Sequence, residues 1–134
     1  MKNHFVIDTS VLITYSSYGK LYRLSNMIVL YNMKVFVNAH LLNEFGKNLK
    51  KISNNRIIDV DEEIKAVLDF ATLVETIPIF SKSPDAKDNF LFDLALQTYS
   101  EVIVTKEKVL LNFIESPIAI HDIKWFKEKF PVAL

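Results

Sequence analysis

Short apolar runs that suit β-strands alternate along this chain with longer stretches whose apolar residues recur at helical spacing. Strands are predicted at residues 4–7, 34–37, 76–80 and 102–105, and residues 118–121 offer a fifth. Helical patterns lie between and after these runs. Because strands that alternate with helices usually pair in parallel, we expect an α/β fold with a mostly parallel sheet of four to five strands.

The helical patterns carry recognisable start and stop signals. The pattern after the first strand is broken near Gly19, which predicts two helices. The helix after the second strand ends at Ser53-Asn54-Asn55, and the next helix opens with acids at residues 61–63, where the helix dipole favours negative charge. Three more helices are predicted, one beginning at Asp88 and two spanning residues 107–114 and 123–130.

The composition fits a single globular unit. The chain has 134 residues, 50% of them hydrophobic, and no tract of Gly, Ser or Pro long enough to act as a linker, so we expect one domain over residues 1–134. Its 16 basic and 16 acidic side chains balance, which leaves only local patches to attract nucleic acid. The lack of cysteine excludes disulfides, thiolate zinc sites and cysteine nucleophiles, so oxygen or histidine would hold any metal.

The sequence shows neither targeting signals nor phosphate-binding loops. It lacks the apolar core and cleavage site of a signal peptide, and no run approaches the ~18 apolar residues of a membrane span, so the expected location is the cytoplasm. Neither Gly19 nor Gly46 follows the first strand, which argues against a phosphate-cradling loop and a nucleotide cofactor.

Four acids are distinguished by their positions. Asp8 ends the first apolar run, Asp88 begins a helix and Glu107 follows the fourth strand. Glu44 lies at the border of the buried face of its helix. Open parallel sheets bind ligands at the carboxyl ends of their strands, so acids placed there can converge. Converging carboxylates suit a hard cation such as Mg²⁺, and two such ions can promote phosphodiester hydrolysis, as in a nuclease.

Ordinary structural roles remain open for each acid. Asp8 and Asp88 are also suitable N-caps, and Glu107 would complement a helix dipole. Glu44 fits a solvated helix surface equally well. Three further acids are interpreted as bystanders, solvated or capping, and three histidines as structural because they lack metal-ligand spacing: Asp85, Asp93, Asp122, His4, His40 and His121.

The motifs around these acids resemble the PIN domain family, particularly bacterial members that act as VapC-like toxins of toxin–antitoxin pairs. The resemblance covers nearly the whole chain, and the order and spacing of its motifs are fairly specific. The segments that carry it are Val6-Ile7-Asp8-Thr9-Ser10-Val11-Leu12-Ile13, Glu44, Pro84-Asp85-Ala86-Lys87-Asp88-Asn89-Phe90-Leu91 with Leu94-Ala95-Leu96, and Val102-Ile103-Val104-Thr105-Lys106-Glu107-Lys108-Val109-Leu110-Leu111.

The resemblance implies a three-layer α/β/α sandwich and an endoribonuclease that depends on one or two Mg²⁺ or Mn²⁺ ions. The reaction would be hydrolysis of RNA, in which water attacks the phosphorus in line and leaves a 5′-phosphate and a 3′-hydroxyl. Kinship with toxins also implies a cognate antitoxin as a partner. The residues that match the family's acidic ligands are Asp8, Glu44, Asp88 and Glu107, and those expected to support them are Thr9, Ser10, Asn89 and Thr105.

Departures from the family pattern keep a second function open. Glu107 stands where the family usually has Asp, Lys106 where a small residue is common, and Val109 where a further acid is frequent. The extra methylene of Glu107 could displace or weaken the second ion, so the alternative is a PIN-like binding module that grips RNA or a protein without cutting. A haloacid dehalogenase-type phosphatase is disfavoured because that class requires a second Asp two residues after the first, and Ser10 occupies this position.

Two surfaces are candidate contacts with partners. Basic residues near Glu44 and Glu107 could neutralise RNA phosphates or simply form solvated faces: Lys47, Lys50, Lys51, Arg56, Lys106 and Lys108. The N-terminal helices carry more Tyr and Met than a core of this size needs. That excess predicts an antitoxin or homodimer contact, unless the side chains line the core: Tyr15, Tyr18, Tyr22, Met27 and Tyr31.

Overall fold

The computed structural model describes residues 3–52 and 57–132. Its elements, in chain order, are β1 (His4–Ile7), α1 (Thr9–Ser17), α2 (Leu21–Leu30), β2 (Lys34–Val37), α3 (Ala39–Ile52), α4 (Val60–Phe70), β3 (Ala71–Leu73), a 3-10 turn (Ala86–Asp88), α5 (Asn89–Gln97), β4 (Val102–Val104), α6 (Lys108–Leu111), β5 (Ala119–His121) and α7 (Ile123–Lys129). The predicted bounds of β1 and β2 are confirmed.

The strands form one parallel sheet in the order β3-β2-β1-β4-β5. β1 is the central strand, and its Ile7 lies opposite Val104 of β4, which in turn lies opposite His121 of β5. Because helices cover both faces of such a sheet, Phe5, Val6 and Ile7 are all buried although successive side chains point to opposite faces. The predicted α/β class with a parallel sheet is confirmed.

The winding of the chain reverses beside β1. The chain steps from β1 to β2 and β3 on one side, and then crosses to β4 and β5 on the other. Right-handed crossovers place the helices of opposite steps on opposite faces. Accordingly, α1 and α4 each pack on both α2 and α3, whereas α5 packs on β1, β2 and β4 and also contacts α3. The crevice between the carboxyl ends of β1 and β4 is the position at which open α/β sheets bind ligands.

Large apolar side chains fill the space between the sheet and its helices. Phe45 of α3, Phe92 of α5 and Phe126 of α7 are fully buried. The ring of Phe126 packs on Phe5 of β1 with centroids 6.0 Å apart, which brings α7 against the central strand. Truncating a buried Phe to Ala typically costs about 3–5 kcal/mol, so each of these rings matters for the fold.

The helices are short. α3 has 14 residues, which corresponds to about 21 Å at 1.5 Å per residue. Within residues 3–52 and 57–132, no helix is long and apolar enough to cross a bilayer.

β3 differs from the prediction. It spans Ala71–Leu73, directly after α4, whereas residues 76–80, predicted as the third strand, form no regular element. Pro78 cannot donate a ladder hydrogen bond. The side-chain amide of Gln97 forms hydrogen bonds with both backbone polar groups of Ile77. It accepts from the Ile77 N–H at 2.8 Å and donates to the Ile77 carbonyl at 2.6 Å. Residues 76–80 are thus held by α5 instead of by a neighbouring strand.

Asp93 also differs from its interpretation as a solvated or capping acid. It is buried in α5, with 4% of its surface exposed. Its Oδ1 accepts hydrogen bonds from the N–H groups of Ile79 at 2.9 Å and Phe80 at 2.7 Å. Asp93 therefore fastens this segment to α5. Asp122, by contrast, has the capping role that was one of its two expected roles. Its Oδ1 accepts from the Trp125 N–H at 2.9 Å at the start of α7.

Helix boundaries mostly follow the sequence signals. Gly19 separates α1 from α2 and has a φ of 68°, a left-handed value that glycine adopts without strain. α6 is shorter than the predicted helix over residues 107–114, because it covers only Lys108–Leu111. The helix end predicted at Ser53-Asn54-Asn55 lies outside the described residues.

Candidate active site

The carboxyl ends of β1 and β4 open onto an acidic cavity of about 350 Å³. The cavity is lined by Asp8, Thr9, Ser10, Ile13, Glu44, Asn48, Lys87, Asp88 and Glu107. The four acids distinguished in the sequence therefore come together, although they belong to four separate parts of the fold. The strand order explains this convergence, because Asp8 and Glu107 follow the two strands that flank the switch point.

Asp8 is the most deeply buried of the four acids, with 4% of its surface exposed. It occupies the N-cap position of α1, but its side chain makes no capping hydrogen bond, so the capping interpretation is wrong. Instead, its Oδ2 accepts from the Thr105 hydroxyl at 2.7 Å and from the Ser10 hydroxyl at 3.0 Å. Burial raises the pKa of Asp8, while these hydrogen bonds oppose the rise.

Thr9 connects Asp8 to Glu44. Its hydroxyl donates to Glu44 Oε1 at 2.6 Å and also lies 3.3 Å from Asp8 Oδ1. The packing of α1 on α3 makes this contact possible. Glu44 is half-buried and hydrogen-bonded, so it is not the freely solvated helix glutamate that the sequence left open.

Asp88 ends the 3-10 turn that leads into α5. It is 8% exposed, and its carboxylate makes no capping hydrogen bond to α5, which rules out the N-cap alternative. Burial, followed by the negative charges of Asp8 and Asp85, raises the pKa of Asp88 to about 6. Asp85, interpreted as a bystander, lies at the start of the turn and accepts from the Lys87 N–H at 3.2 Å. A buried carboxylate among other acids is stabilised by a nearby cation.

Glu107 lies at the rim of the cavity and is exposed. Its side chain makes no capping hydrogen bond to α6. Its backbone N–H donates to Thr105 Oγ1 at 3.1 Å, and the Lys106 N–H donates to Ser10 Oγ at 3.1 Å. Since both hydroxyl oxygens accept these bonds, their protons are free to point at Asp8. The backbone after β4 is thereby joined to Asp8.

The other predicted supporting residue, Asn89, acts at a distance from the acids. Its Oδ1 accepts from the Ser83 N–H at 3.0 Å, so it holds the loop that precedes the 3-10 turn. Thr9, Ser10 and Thr105, in contrast, all contact Asp8 directly.

Two polar residues of the cavity lining were missed as site residues by the sequence interpretation, and so was the apolar Ile13. Asn48 follows Glu44 by four residues and shares its helical face, and that spacing could have identified it. Lys87 precedes Asp88, and its ammonium lies 3.6 Å from Asp85 Oδ2 with the side chain 74% exposed. Lys87 is the one basic residue in the lining among the residues described, so the acids outnumber it.

The chemistry of the lining suits a hard divalent cation. Carboxylate oxygens dominate it, and Asp8 and Asp88 are buried acids whose pKa values lie above the ordinary range. In the two described segments, no three His, Cys, Asp or Glu side chains are placed to hold one ion together. An ion at this site would therefore take fewer carboxylates and complete its shell with water, as Mg²⁺ commonly does.

Two of the basic residues noted in the sequence, Lys47 and Lys106, lie near residues of the acidic cavity or its neighbours. Lys106 donates from Nζ to Thr14 Oγ1 at 2.9 Å, which directs it along α1. Lys47 lines a neighbouring cavity that also includes Glu44. Three more are exposed on α3 and α6, namely Lys50, Lys51 and Lys108. Arg56 lies outside the described residues.

The aromatic residues of the N-terminal helices divide between core and surface. Tyr15 and Met27 are buried, and Tyr31 is half-buried with its hydroxyl donating to the Pro131 carbonyl at 2.5 Å. Tyr18 and Tyr22 are 70% and 55% exposed. Only part of the predicted contact surface is thus available to a partner.

The histidines occupy three different environments. His4 Nδ1 lies 2.8 Å from the Thr98 carbonyl oxygen, His40 stacks on Phe90, and His121 stacks on Trp125. They are not grouped as metal ligands within the described chain.

Comparisons with known proteins agree with the fold. A family model described as PIN domain matches residues 4–108. The crystal structure of PAE2754 from Pyrobaculum aerophilum is similar in fold, with a TM-score of 0.64 at 17% sequence identity over 97% of this chain and 98% of that chain. No curated protein matches the chain. Because the family model covers most of its length, this protein belongs to the PIN domain family, whose members are generally metal-dependent nucleases.

Proposed function

We propose that this protein is a metal-dependent endoribonuclease that hydrolyses phosphodiester bonds of single-stranded or structured RNA. The observation that carries the proposal is the convergence of four carboxylates on one cavity at the switch point of the sheet. Membership of a family of nucleases supports hydrolysis at the coarser level. The choice of RNA and of the metal is our inference.

In this proposal, Mg²⁺ or Mn²⁺ is held by carboxylates from the set Asp8, Glu44, Asp88 and Glu107. One or two such ions, when bound, neutralise phosphate charge and lower the pKa of the water that attacks phosphorus. Asp8 and Asp88 are the strongest candidates, because both are buried and their raised pKa values favour a cation nearby.

The surrounding hydroxyl groups preorganise the acids. Thr105 and Ser10 hold Asp8 in one orientation, and Thr9 holds Asp8 and Glu44 at a fixed separation. Such positioning is important because a misplacement of about 1 Å can reduce a rate about 100-fold. Asn48 and Lys87 also line the cavity, where they can donate hydrogen bonds to a phosphate.

Basic side chains around the cavity are proposed to contact the rest of the RNA. Lys47 is placed best, because the cavity it lines also contains Glu44. The more distant lysines would guide the strand through non-specific phosphate contacts: Lys50, Lys51, Lys106 and Lys108.

We further propose that the nuclease is the toxin of a toxin–antitoxin pair, with a cognate antitoxin or a second copy of the chain as partner. The exposed Tyr18 and Tyr22 on the N-terminal helices support a protein contact, because tyrosine is enriched at interfaces. Light scattering tests the homodimer. A monomer at all concentrations, unchanged by Tyr22→Ala, would remove it.

A PIN-like binding module is the second candidate. It is favoured by Glu107, by Val109 in place of a further acid, and by the lack of three grouped ligands among the described residues. Such a module would bind RNA or a protein but leave phosphodiester bonds intact.

Cleavage of an end-labelled single-stranded RNA pool in Mn²⁺, Mg²⁺ or EDTA separates the two candidates. We expect cutting with either metal, none in EDTA, and loss of cutting in Asp8→Asn and Asp88→Asn. Asp61→Asn is the matched control, since Asp61 is an exposed acid in the first turn of α4. Cutting that persists in both cavity variants would come from a contaminant or another site and would refute the assignment. RNA binding without cutting by the wild type would favour the binding module.

A further inference from the structure

A stacked pair of rings lies beside the acidic cavity. The His40 ring of α3 and the Phe90 ring of α5 have centroids 4.0 Å apart and an interplanar angle of 26°. His40 precedes Glu44 by one helical turn, and Phe90 follows Asp88 by two residues. The pair therefore joins the two elements that supply these acids.

His40 also lines a second cavity, which is separate from the acidic one. This cavity, of about 270 Å³, is bordered by His40, Asn43, Glu44 and Lys47. These residues have the spacing i, i+3, i+4 and i+7, which places them along one face of α3. Glu44 lines both this cavity and the acidic one, so the two adjoin.

The His40 ring is only partly covered. Phe90 is half-buried and covers one face of the imidazole, whereas His40 itself is exposed. A ring held in this way loses little conformational freedom when another ring stacks on its open face. The pair thus forms a fixed aromatic platform at the edge of the acidic cavity.

The four groups along this face match the parts of a nucleotide. An aromatic face accepts a stacked base, which single-stranded nucleic acids use widely for binding. The Asn43 amide offers a donor and an acceptor to a base edge, and the Lys47 ammonium offers positive charge to a phosphate. Glu44 links this set to the acidic cavity.

We propose that His40, Asn43 and Lys47 form a subsite for one nucleotide of a single-stranded RNA, with the base stacked on His40 beside the scissile phosphate. This proposal rests on the proposed function, because it takes the acidic cavity as the place of cleavage. His40 and Asn43 would then determine the base preference at that position, and Lys47 would contact the adjoining phosphate.

Fluorescence anisotropy with a short labelled single-stranded RNA in EDTA tests the subsite without requiring cleavage. His40→Ala is expected to raise the Kd about 5- to 150-fold, the usual loss when one base-stacking ring is removed. His40→Phe should stay close to wild type because it retains a ring, whereas His40→Leu should behave like His40→Ala. Tyr99→Ala is the matched control, since Tyr99 is an exposed ring between α5 and β4, at the opposite end of α5 from Phe90. Circular dichroism confirms that each variant folds.

Cleavage of a randomised RNA pool gives a second measurement. Asn43→Ala is expected to flatten the base preference at one position next to the cut, with kcat unchanged. Lys47→Ala should reduce by about 1 the slope of log Kd against log salt concentration, as the loss of a single phosphate contact does. His40→Ala should raise KM without lowering kcat, because stacking stabilises substrate and transition state alike.

The outcomes distinguish the subsite from the proposed nuclease. If wild type binds RNA and His40→Ala, His40→Leu and wild type share one Kd, the subsite is overturned while cleavage can still stand. If wild type binds but does not cut, and His40→Ala weakens binding, the subsite is supported and the nuclease is overturned. Wild type that neither binds nor cuts at low salt overturns both.

Discussion

Replacing Asp88 by Asn should stabilise this protein at neutral pH. The folded state raises the pKa of Asp88 from 3.8 to about 6, chiefly through burial and then through Asp8 and Asp85. At about 1.36 kcal/mol per pH unit, the ionised carboxylate costs the fold at most about 3 kcal/mol, and partial solvation reduces this to about 1–3 kcal/mol. Asn has nearly the same shape and carries no charge, so Asp88→Asn removes this cost.

The sign of the pH dependence follows from the direction of the shift. Because the pKa of Asp88 is higher in the folded than in the unfolded state, the folded state binds more protons between about pH 4 and pH 6. Wild-type stability should therefore fall as the pH rises through this window and stay reduced above it. The difference in unfolding free energy between Asp88→Asn and wild type should reach its largest value above about pH 6 and vanish below about pH 4.

Thermal and urea unfolding in EDTA, followed by circular dichroism across this pH range, measure the effect. For 134 residues the unfolding entropy is about 0.28 kcal/mol per kelvin, so the Tm of Asp88→Asn should rise by about 4–11 °C at neutral pH. The control Asp61→Asn should be neutral or slightly destabilising, because Asp61 complements the dipole of α4. An Asp88→Asn variant that is less stable than wild type at neutral pH, or equally shifted at low pH, would refute the reasoning.

Three further predictions concern the acidic cavity. Mn²⁺ at ten times its Kd should stabilise wild type by about 1.4 kcal/mol in thermal unfolding but leave Asp88→Asn nearly unchanged, and equal stabilisation of both would exclude Asp88 as a ligand. Glu107→Asp should lower the Kd for Mn²⁺ in a calorimetric titration and increase RNA cleavage, because it restores the shorter acid usual in the family; weaker binding would contradict this. Thr9→Val should reduce cleavage and destabilise the fold by about 1–3 kcal/mol, because Glu44 and Asp8 lose the Thr9 hydroxyl. Unchanged urea unfolding would show that this hydroxyl contributes little.

Local sequence patterns were sufficient for much of the fold. β1 and β2 are short apolar runs whose backbone groups form no hydrogen bond with a side chain of residues 3–52 or 57–132, and their predicted bounds are confirmed. Residues 76–80 have an equally apolar pattern, but Gln97 and Asp93 of α5 take their amide groups. That competition comes from tertiary contacts, which the pattern does not contain. Pro78 was the one local signal against a strand.

In the candidate site, too, some features follow from the sequence pattern and others depend on tertiary contacts. The rule that ligands bind at the carboxyl ends of parallel strands was enough to predict that Asp8 and Glu107 converge. Asp88 also lines the cavity, but the strand predicted just before it, at residues 76–80, does not form, and the 3-10 turn positions it instead. The rule did not predict that Thr9 bridges Asp8 to Glu44, because this contact depends on how α1 packs on α3. Nor did it predict the stacking of His40 on Phe90, whose partners lie on α3 and α5.

The hydroxyl groups around Asp8 impose a limit on what can enter the cavity. Thr9, Ser10 and Thr105 each carry one hydroxyl proton, whereas the carboxylates of Asp8 and Glu44 together offer about eight lone-pair positions. Ser10 and Thr105 already direct their protons at the same oxygen of Asp8. The two carboxylates thus have more acceptor positions than these donors can fill. A phosphate group only adds acceptors, so it should reach Asp8 after a cation or together with one, whereas RNA held by the adjoining face of α3 should bind without a cation.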